Sequence, residues 1–235
     1  MTEDTLHAIG AALAAASSDD RRRIFQDLRK EFPIHELERK WNAPAEVVLE
    51  AIARATDLTQ RGLRGVIAEA AFGQTVVVPL GPDGWTDDTP GGDNPFDFRL
   101  RDKHGTVKVQ VKNQRKEAQT PKLWKKEPGV YVAETQKTRS GKDSGGKDTR
   151  PYKFGEFDIL AVCLHPSTND WSTFLYTVGN WLLPRERDAK LIAVMQPVDP
   201  KASADWTTDF ATAVSWYRSG TKRTIAIPAA LKSGI

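Results

Sequence analysis

The chain has 235 residues, 39% of them apolar and 28% charged, with a formal net charge of +3, which suits one α/β domain with a small appendage in a soluble protein. Cys163 is the sole cysteine, so a disulfide framework is excluded and a structural zinc cluster is not expected. The sequence shows neither an apolar run approaching the roughly 20 residues of a membrane span nor a signal-peptide pattern, and a cytoplasmic protein is the default expectation.

Residues 5–56 read as helical. Ile24, Phe25, Leu28 and Phe32 share one helix face, and Asp19 and Asp20 suit its N-cap and first turn. Two short amphipathic segments, 34–41 and 45–55, then flank the breaker Asn42-Ala43-Pro44. That pattern is like a helix-turn-helix, whose second helix could meet DNA. The exposed candidates on it, Glu46, Glu50 and Arg54, include two acids that would repel phosphate, so a plain helical hairpin or a dimer contact is the competing reading. Residues 1–58 are therefore assigned to a helical extension and 59–235 to the main domain.

Residues 60–74 form the next predicted helix, with Leu63, Val66, Ile67 and Ala70 buried, Glu69 at the border of that face and Gly73 as the C-cap. Thr75 to Leu80 reads as a short buried strand, and residues 81–94 as an acidic, glycine-rich loop without EF-hand spacing. Residues 94–114, NPFDFRLRDKHGTVKVQVKNQ, read as a β-hairpin. Phe96, Phe98 and Leu100 alternate with Asp97, Arg99 and Arg101, the stretch from Asp102 to Gly105 has turn chemistry, and Val107, Val109 and Val111 alternate with Lys108, Gln110 and Lys112. Pairing across the turn would bring Asp97 near Gln110 and Lys112, a plausible site for a hard cation and a phosphate.

Between Lys112 and Arg150 eleven Lys/Arg face five Asp/Glu, so the positive surplus is concentrated behind the hairpin. Arg115, Lys116, Lys137, Arg139, Lys142 and Lys147 are the candidate phosphate contacts, against the alternative of a solvated loop. Trp85 and Trp124, in polar stretches, are candidate base-stacking residues. Residues 157–164 are apolar without alternation, as in a central strand covered on both faces, with Cys163 a buried inert thiol within it. Residues 171–178 alternate and suggest another strand, 205–217 a helix with Trp206 and Trp216 in its core, and 224–227 a last strand.

Pro95-Phe96-Asp97, a short hairpin, then Gln110-Val111-Lys112 resembles the core motif of the PD-(D/E)XK nucleases, the restriction-endonuclease-like superfamily. The resemblance extends loosely over residues 60–165 and departs at Gln110, where the family usually has Asp or Glu. It implies an α/β fold with a mixed central sheet flanked by helices, and Mg²⁺-dependent hydrolysis of double-stranded DNA. By the same resemblance Asp97 is the principal metal ligand, Glu69 a further ligand from the preceding helix, Gln110 an uncharged one, and Lys112 the residue that holds the attacking water or the phosphate. Asp93 or Glu117 could make up the missing charge. A type II restriction endonuclease acting as a homodimer is the reading this favours; a repair or recombination nuclease and an inactive DNA-binding module are the alternatives.

Overall fold

The computed structural model describes residues 2–32, 35–118, 120–137 and 150–226. The chain divides into two compact units, Met1–Gln60 and Arg61–Ile235.

The first unit is helical: α1 (Glu3–Ala15), α2 (Ser18–Glu31), α3 (Glu36–Trp41) and α4 (Ala45–Ala53). Ser17 caps α2 by accepting from the amide of Asp20 at 3.1 Å. Between α3 and α4, Asn42 takes the left-handed conformation (φ 48°) and Pro44 stands at the N-cap of α4. Arg29 of α2 ties the hairpin together, its guanidinium meeting Glu38 of α3 and, at 2.6 Å, Glu46 of α4. The acids that weighed against a DNA-reading α4 are thus engaged by arginines: Glu46 by Arg29, and Glu50 by Arg54 at 2.7 Å.

The second unit is a mixed α/β structure. Its five-stranded sheet contains β1 (Thr86–Asp87), β2 (Phe98–Asp102), β3 (Gly105–Asn113), β5 (Ile159–Cys163) and β6 (Phe174–Val178) in the order β1-β2-β3-β5-β6. β3 and β5 run parallel, and the other neighbours are antiparallel. The predicted hairpin is β2–β3, with Phe98 opposite Val109 and Asp102 opposite Gly105, whose φ of 122° suits glycine alone. Asp102 accepts from both terminal guanidinium nitrogens of Arg218, Nη1 and Nη2, at 2.9 and 2.6 Å. A separate antiparallel pair joins β4 (Tyr131–Glu134) to β7 (Met195–Val198).

Helix α5 (Asp57–Phe72) and α6 (Phe210–Arg218) cover one face. Ala68 and Phe72 of α5 meet Leu100, Val107, Val109 and Val111, with Phe210, Ala213 and Val214 of α6 beside them. The buried ring of Phe72 contacts Phe98, Phe174 and Phe210 at centroid distances of 5.2, 5.4 and 6.1 Å. The other face packs Leu160, Val162 and Leu175 against Tyr152, Phe157, Trp181 and Trp206. β5 is buried at every position, as its unbroken apolar run predicted. Within it, burial pushes the Cys163 thiol up to about 11, so it stays protonated and unreactive at neutral pH.

Several expectations fail here. Thr75 to Leu80 is helix: α5 continues through a π-turn (Gly73–Val77), Val78–Leu80 and a 3-10 turn (Gly81–Asp83), ending at Gly84 (φ 85°). Val76, Val77 and Leu80 pack on the Phe72 cluster, and that packing overrides the strand preference of three valines. The wider turn accommodates Pro79, while the Thr75 hydroxyl donates to the Ala71 carbonyl at 2.8 Å. By length and composition this helical run, Asp57–Asp83, is long and apolar enough to cross a membrane, which breaking it at Gly73 had hidden. The predicted buried face of this helix is also wrong: the sheet is met by the i, i+4 pair Ala68 and Phe72, which leaves Leu63 half-buried and turns Val66, Ile67 and Ala70 outward, the two larger at 58% and 45% exposure.

Second, Phe96 packs on the opposite face from Phe98 and Leu100, because the strand begins only at Phe98 and the chain bends at Asp97. Third, α6 starts at Phe210, capped by Asp209, which accepts from the amide of Thr212 at 2.8 Å. Trp206 therefore precedes the helix while remaining in the core. Last, residues 224–226 form no strand; Ile225 is buried and its amide donates to the Trp181 carbonyl at 2.8 Å.

Candidate active site

Asp97 lies at the mouth of the β2–β3 hairpin, where its amide donates to the Val109 carbonyl at 2.9 Å. β2 pairs with β3 only as far as Val109, so the Val111 amide has no strand partner on that side. The Asp97 side chain takes that place: its Oδ2 accepts from the Val111 amide at 2.7 Å. The same oxygen accepts from Nε2 of Gln110. With both bonds on Oδ2, Oδ1 is left for another ligand.

Gln110 is 1% exposed and fully satisfied. Besides Asp97, its Nε2 donates to the Val111 carbonyl at 3.2 Å, and its Oε1 accepts from the Tyr152 hydroxyl at 3.0 Å. The amide orientation follows from its neighbours: a carboxylate and a carbonyl only accept, so they take the NH₂ side, and the hydroxyl takes the oxygen. The Tyr152 pKa is pushed up by burial and by the charges of Asp97, Glu156, Glu69 and Asp93, so its proton stays available for that bond.

Lys112 follows Gln110 by two positions and shares its face of β3. Half-buried, it lies with its Nζ 5.4 Å from the centroid of the Tyr152 ring. Burial lowers its pKa, while Asp97 and Glu69 hold it up. Glu69 comes from α5, one position along from Ala68, and the contact that seats Ala68 and Phe72 on the sheet leaves its carboxyl within range of the Asp97 and Lys112 charges. Burial pushes that carboxyl up to about 7, the Asp97 charge pushes the same way, and Lys112 opposes both. Burial likewise raises Asp97, against the Lys112 charge and the bonds from Val111 and Gln110. The structure thus brings Glu69, Asp97, Gln110 and Lys112 together from helix α5, the bend before β2 and strand β3.

Two half-buried carboxyls beside one ammonium can hold one divalent cation, which would relieve the cost of ionising both. Among the described residues no group of three or more His, Cys, Asp or Glu could hold a metal ion, so the available set is Asp97 and Glu69 with main-chain oxygen and water. Glu117 lies elsewhere: it belongs to the small hairpin Lys116–Glu117 with Thr120–Pro121, and faces Lys122 at 3.3 Å. Asp93 is close enough for its charge to act on the Tyr152 hydroxyl.

The basic candidates are differently placed. Arg115 pairs with Glu134. Lys116 is half-buried in its small hairpin. Lys137 lies 5.2 Å from the centroid of the Tyr152 ring and 3.0 Å from Glu156, which puts it beside the candidate site. Arg139, Lys142 and Lys147 lie outside the described residues. Neither tryptophan is presented for stacking: Trp85 packs on Phe210 with the Arg218 guanidinium over its ring, 5.4 Å from the centroid, and Trp124 is buried with Val130 and Val132.

Sequence reasoning missed Tyr152. It lies far from Gln110 along the chain, and no spacing rule links a tyrosine ahead of the central strand to a glutamine on the neighbouring one. The available signal was an aromatic residue with a polar tip a few positions before a strand predicted to be buried on both faces.

No protein-family model matches the sequence, and no curated protein matches it. Among solved structures the chain is similar to a bacterial homing endonuclease, I-Ssp6803I, with 20% identity and a TM-score of 0.37 over 68% of this chain and 94% of that one.

Proposed function

We propose that this protein is a Mg²⁺-dependent endodeoxyribonuclease that hydrolyses phosphodiester bonds of double-stranded DNA with a site of the PD-(D/E)XK type. The observation that carries the reading is the convergence of Glu69, Asp97 and Lys112 at one hairpin mouth, with their charges mutually coupled.

Asp97, through Oδ1, and Glu69 would hold the cation. When bound, Mg²⁺ neutralises charge growing on the phosphate and lowers the pKa of bound water. Lys112 contributes a positive charge that orients the attacking water or steadies the scissile phosphate. Burial lowers its pKa and so weakens its hold on its proton. Tyr152 closes the apolar side of the site, and Lys137 extends the positive surface along the backbone.

The specific form proposed is a type II restriction endonuclease acting as a homodimer, for which the compact chain, the loops leading into the hairpin and the basic surplus behind it are the support. Digestion of varied duplex DNAs with Mg²⁺ or Mn²⁺ tests it. Discrete fragments support the restriction form, and uniform degradation or cutting confined to branched substrates replaces it with a repair-type nuclease. A second reading, a non-catalytic DNA-binding module, is favoured by the uncharged Gln110 and its engaged amide. It predicts a metal-independent gel shift with no cutting.

A further inference from the structure

We propose that Tyr152 is a positioning residue that fixes Gln110 as a hydrogen-bond donor to Asp97, so that Gln110 orients the principal carboxylate and is not itself a metal ligand. The inference rests on the metal site proposed above and deepens it.

Hydrogen-bond capacity fixes the orientation of the Gln110 amide. Gln110 offers two N–H donors and one carbonyl oxygen, and each is used: the donors by Asp97 Oδ2 and the Val111 carbonyl, the oxygen by Tyr152. Turning the amide to present its oxygen at the hairpin mouth would set that oxygen against two acceptors. Its NH₂ would then face the Tyr152 hydroxyl, which could accept only one of the two protons and would lose the acceptor for its own. Gln110 is 1% exposed and Tyr152 3%, so water has no room to repair the exchange. The observed orientation is therefore the stable one, and its effect on Asp97 is directional. With Oδ2 held by Gln110 and Val111, Oδ1 is the oxygen presented to a cation. The chain Tyr152–Gln110–Asp97 does for this carboxylate what outer hydrogen bonds do for metal ligands generally.

The alternative, in which Gln110 ligates through Oε1, makes the opposite prediction, because the Tyr152 hydroxyl would then compete with the metal for that oxygen. Mg²⁺ binding is measured by calorimetry on wild-type protein, Tyr152→Phe and Asp97→Ala. Tyr152→Phe is expected to weaken binding about 10- to 100-fold. Unchanged or tighter binding in a Tyr152→Phe protein that keeps its thermal unfolding transition overturns it.

A second measurement needs no variant. In wild-type protein the two side-chain NH₂ protons of Gln110 are followed by NMR as Mg²⁺ is added to saturation. They are expected to stay protected from exchange, because Asp97 and Val111 still hold them. Loss of that protection on Mg²⁺ binding overturns the proposal even if Tyr152→Phe fails to fold. Failure of the underlying reading looks different: wild-type protein binds no Mg²⁺, or Asp97→Ala binds it as well as wild type, and in either case this proposal falls with the site.

Discussion

Glu69 and Asp97 share one electrostatic environment although one lies on a helix and the other at the mouth of a hairpin: the charge of Asp97, added to burial, lifts the Glu69 carboxyl to about 7. The pair follows from the packing of Ala68 and Phe72 onto the sheet, which lays that turn of α5 over β2 and β3.

The first prediction is a pH dependence of stability. A carboxyl whose folded pKa of about 7 exceeds its ordinary 4.5 keeps a proton in the native state that the unfolded chain has released. Its stabilising contribution is fully present below about pH 4.5 and is lost as pH rises through about 7, and the raised Asp97 acts in the same direction. Urea unfolding across that window should show stability falling in wild type and falling less in Glu69→Gln. Parallel pH profiles for the two proteins would refute the assignment.

Mg²⁺ reverses the sign of that cost, because it favours both ionised carboxylates. Binding should strengthen as pH rises through about 7 in wild type, following Glu69 ionisation, and Glu69→Gln should bind more weakly with a flatter profile. Calorimetry at several pH values checks this. A pH-independent affinity in wild type would contradict it.

Lys112 opposes the rise in Glu69, so Lys112→Met should move the Glu69 pKa above 7. It should also lower the cleavage rate by about 100-fold or more, the scale seen when one preorganised charge or donor is removed. The pKa is readable by NMR of the side-chain carboxyl. An unmoved Glu69 would separate Lys112 from the site.

Two packing predictions test the scaffold. A Cβ on Gly179 would come within 2.7 Å of the Phe157 carbonyl oxygen, a backbone atom that cannot step aside, so Gly179→Ala should destabilise by about 1–3 kcal/mol. Phe72→Ala removes a fully buried ring shared by α5, α6 and the sheet and should cost about 3–5 kcal/mol, with Mg²⁺ affinity falling as Glu69 loses its seat. Denaturant unfolding measures both. A change within about 0.5 kcal/mol, as for ordinary surface positions, would show the packing to be wrongly described.

The hairpin was legible because its period of two, its turn residues and the approach of Asp97 to Gln110 are all local features. The central strand was legible for a related reason, since residues 159–164 form the unbroken apolar run that a strand covered on both faces favours. Thr75 to Leu80 was misread because β-branched residues pack as well on a helix once Phe72 has anchored it, and nothing in three valines shows which partner is waiting. Trp85 and Trp124 were misread because a polar neighbourhood in sequence says little about burial that arrives from remote elements. Tyr152 was invisible for the same reason. Its partner is chosen by the parallel pairing of β3 with β5, which no local pattern specifies.

The most direct test of the nuclease reading is plasmid cleavage in Mg²⁺ by wild-type protein beside Asp97→Ala and Lys112→Ala, each checked for an intact unfolding transition. Wild type should convert supercoiled DNA to nicked and linear forms, and both variants should leave it supercoiled. A wild-type protein that cuts no duplex, or a folded Asp97→Ala that cuts as fast as wild type, would contradict the account.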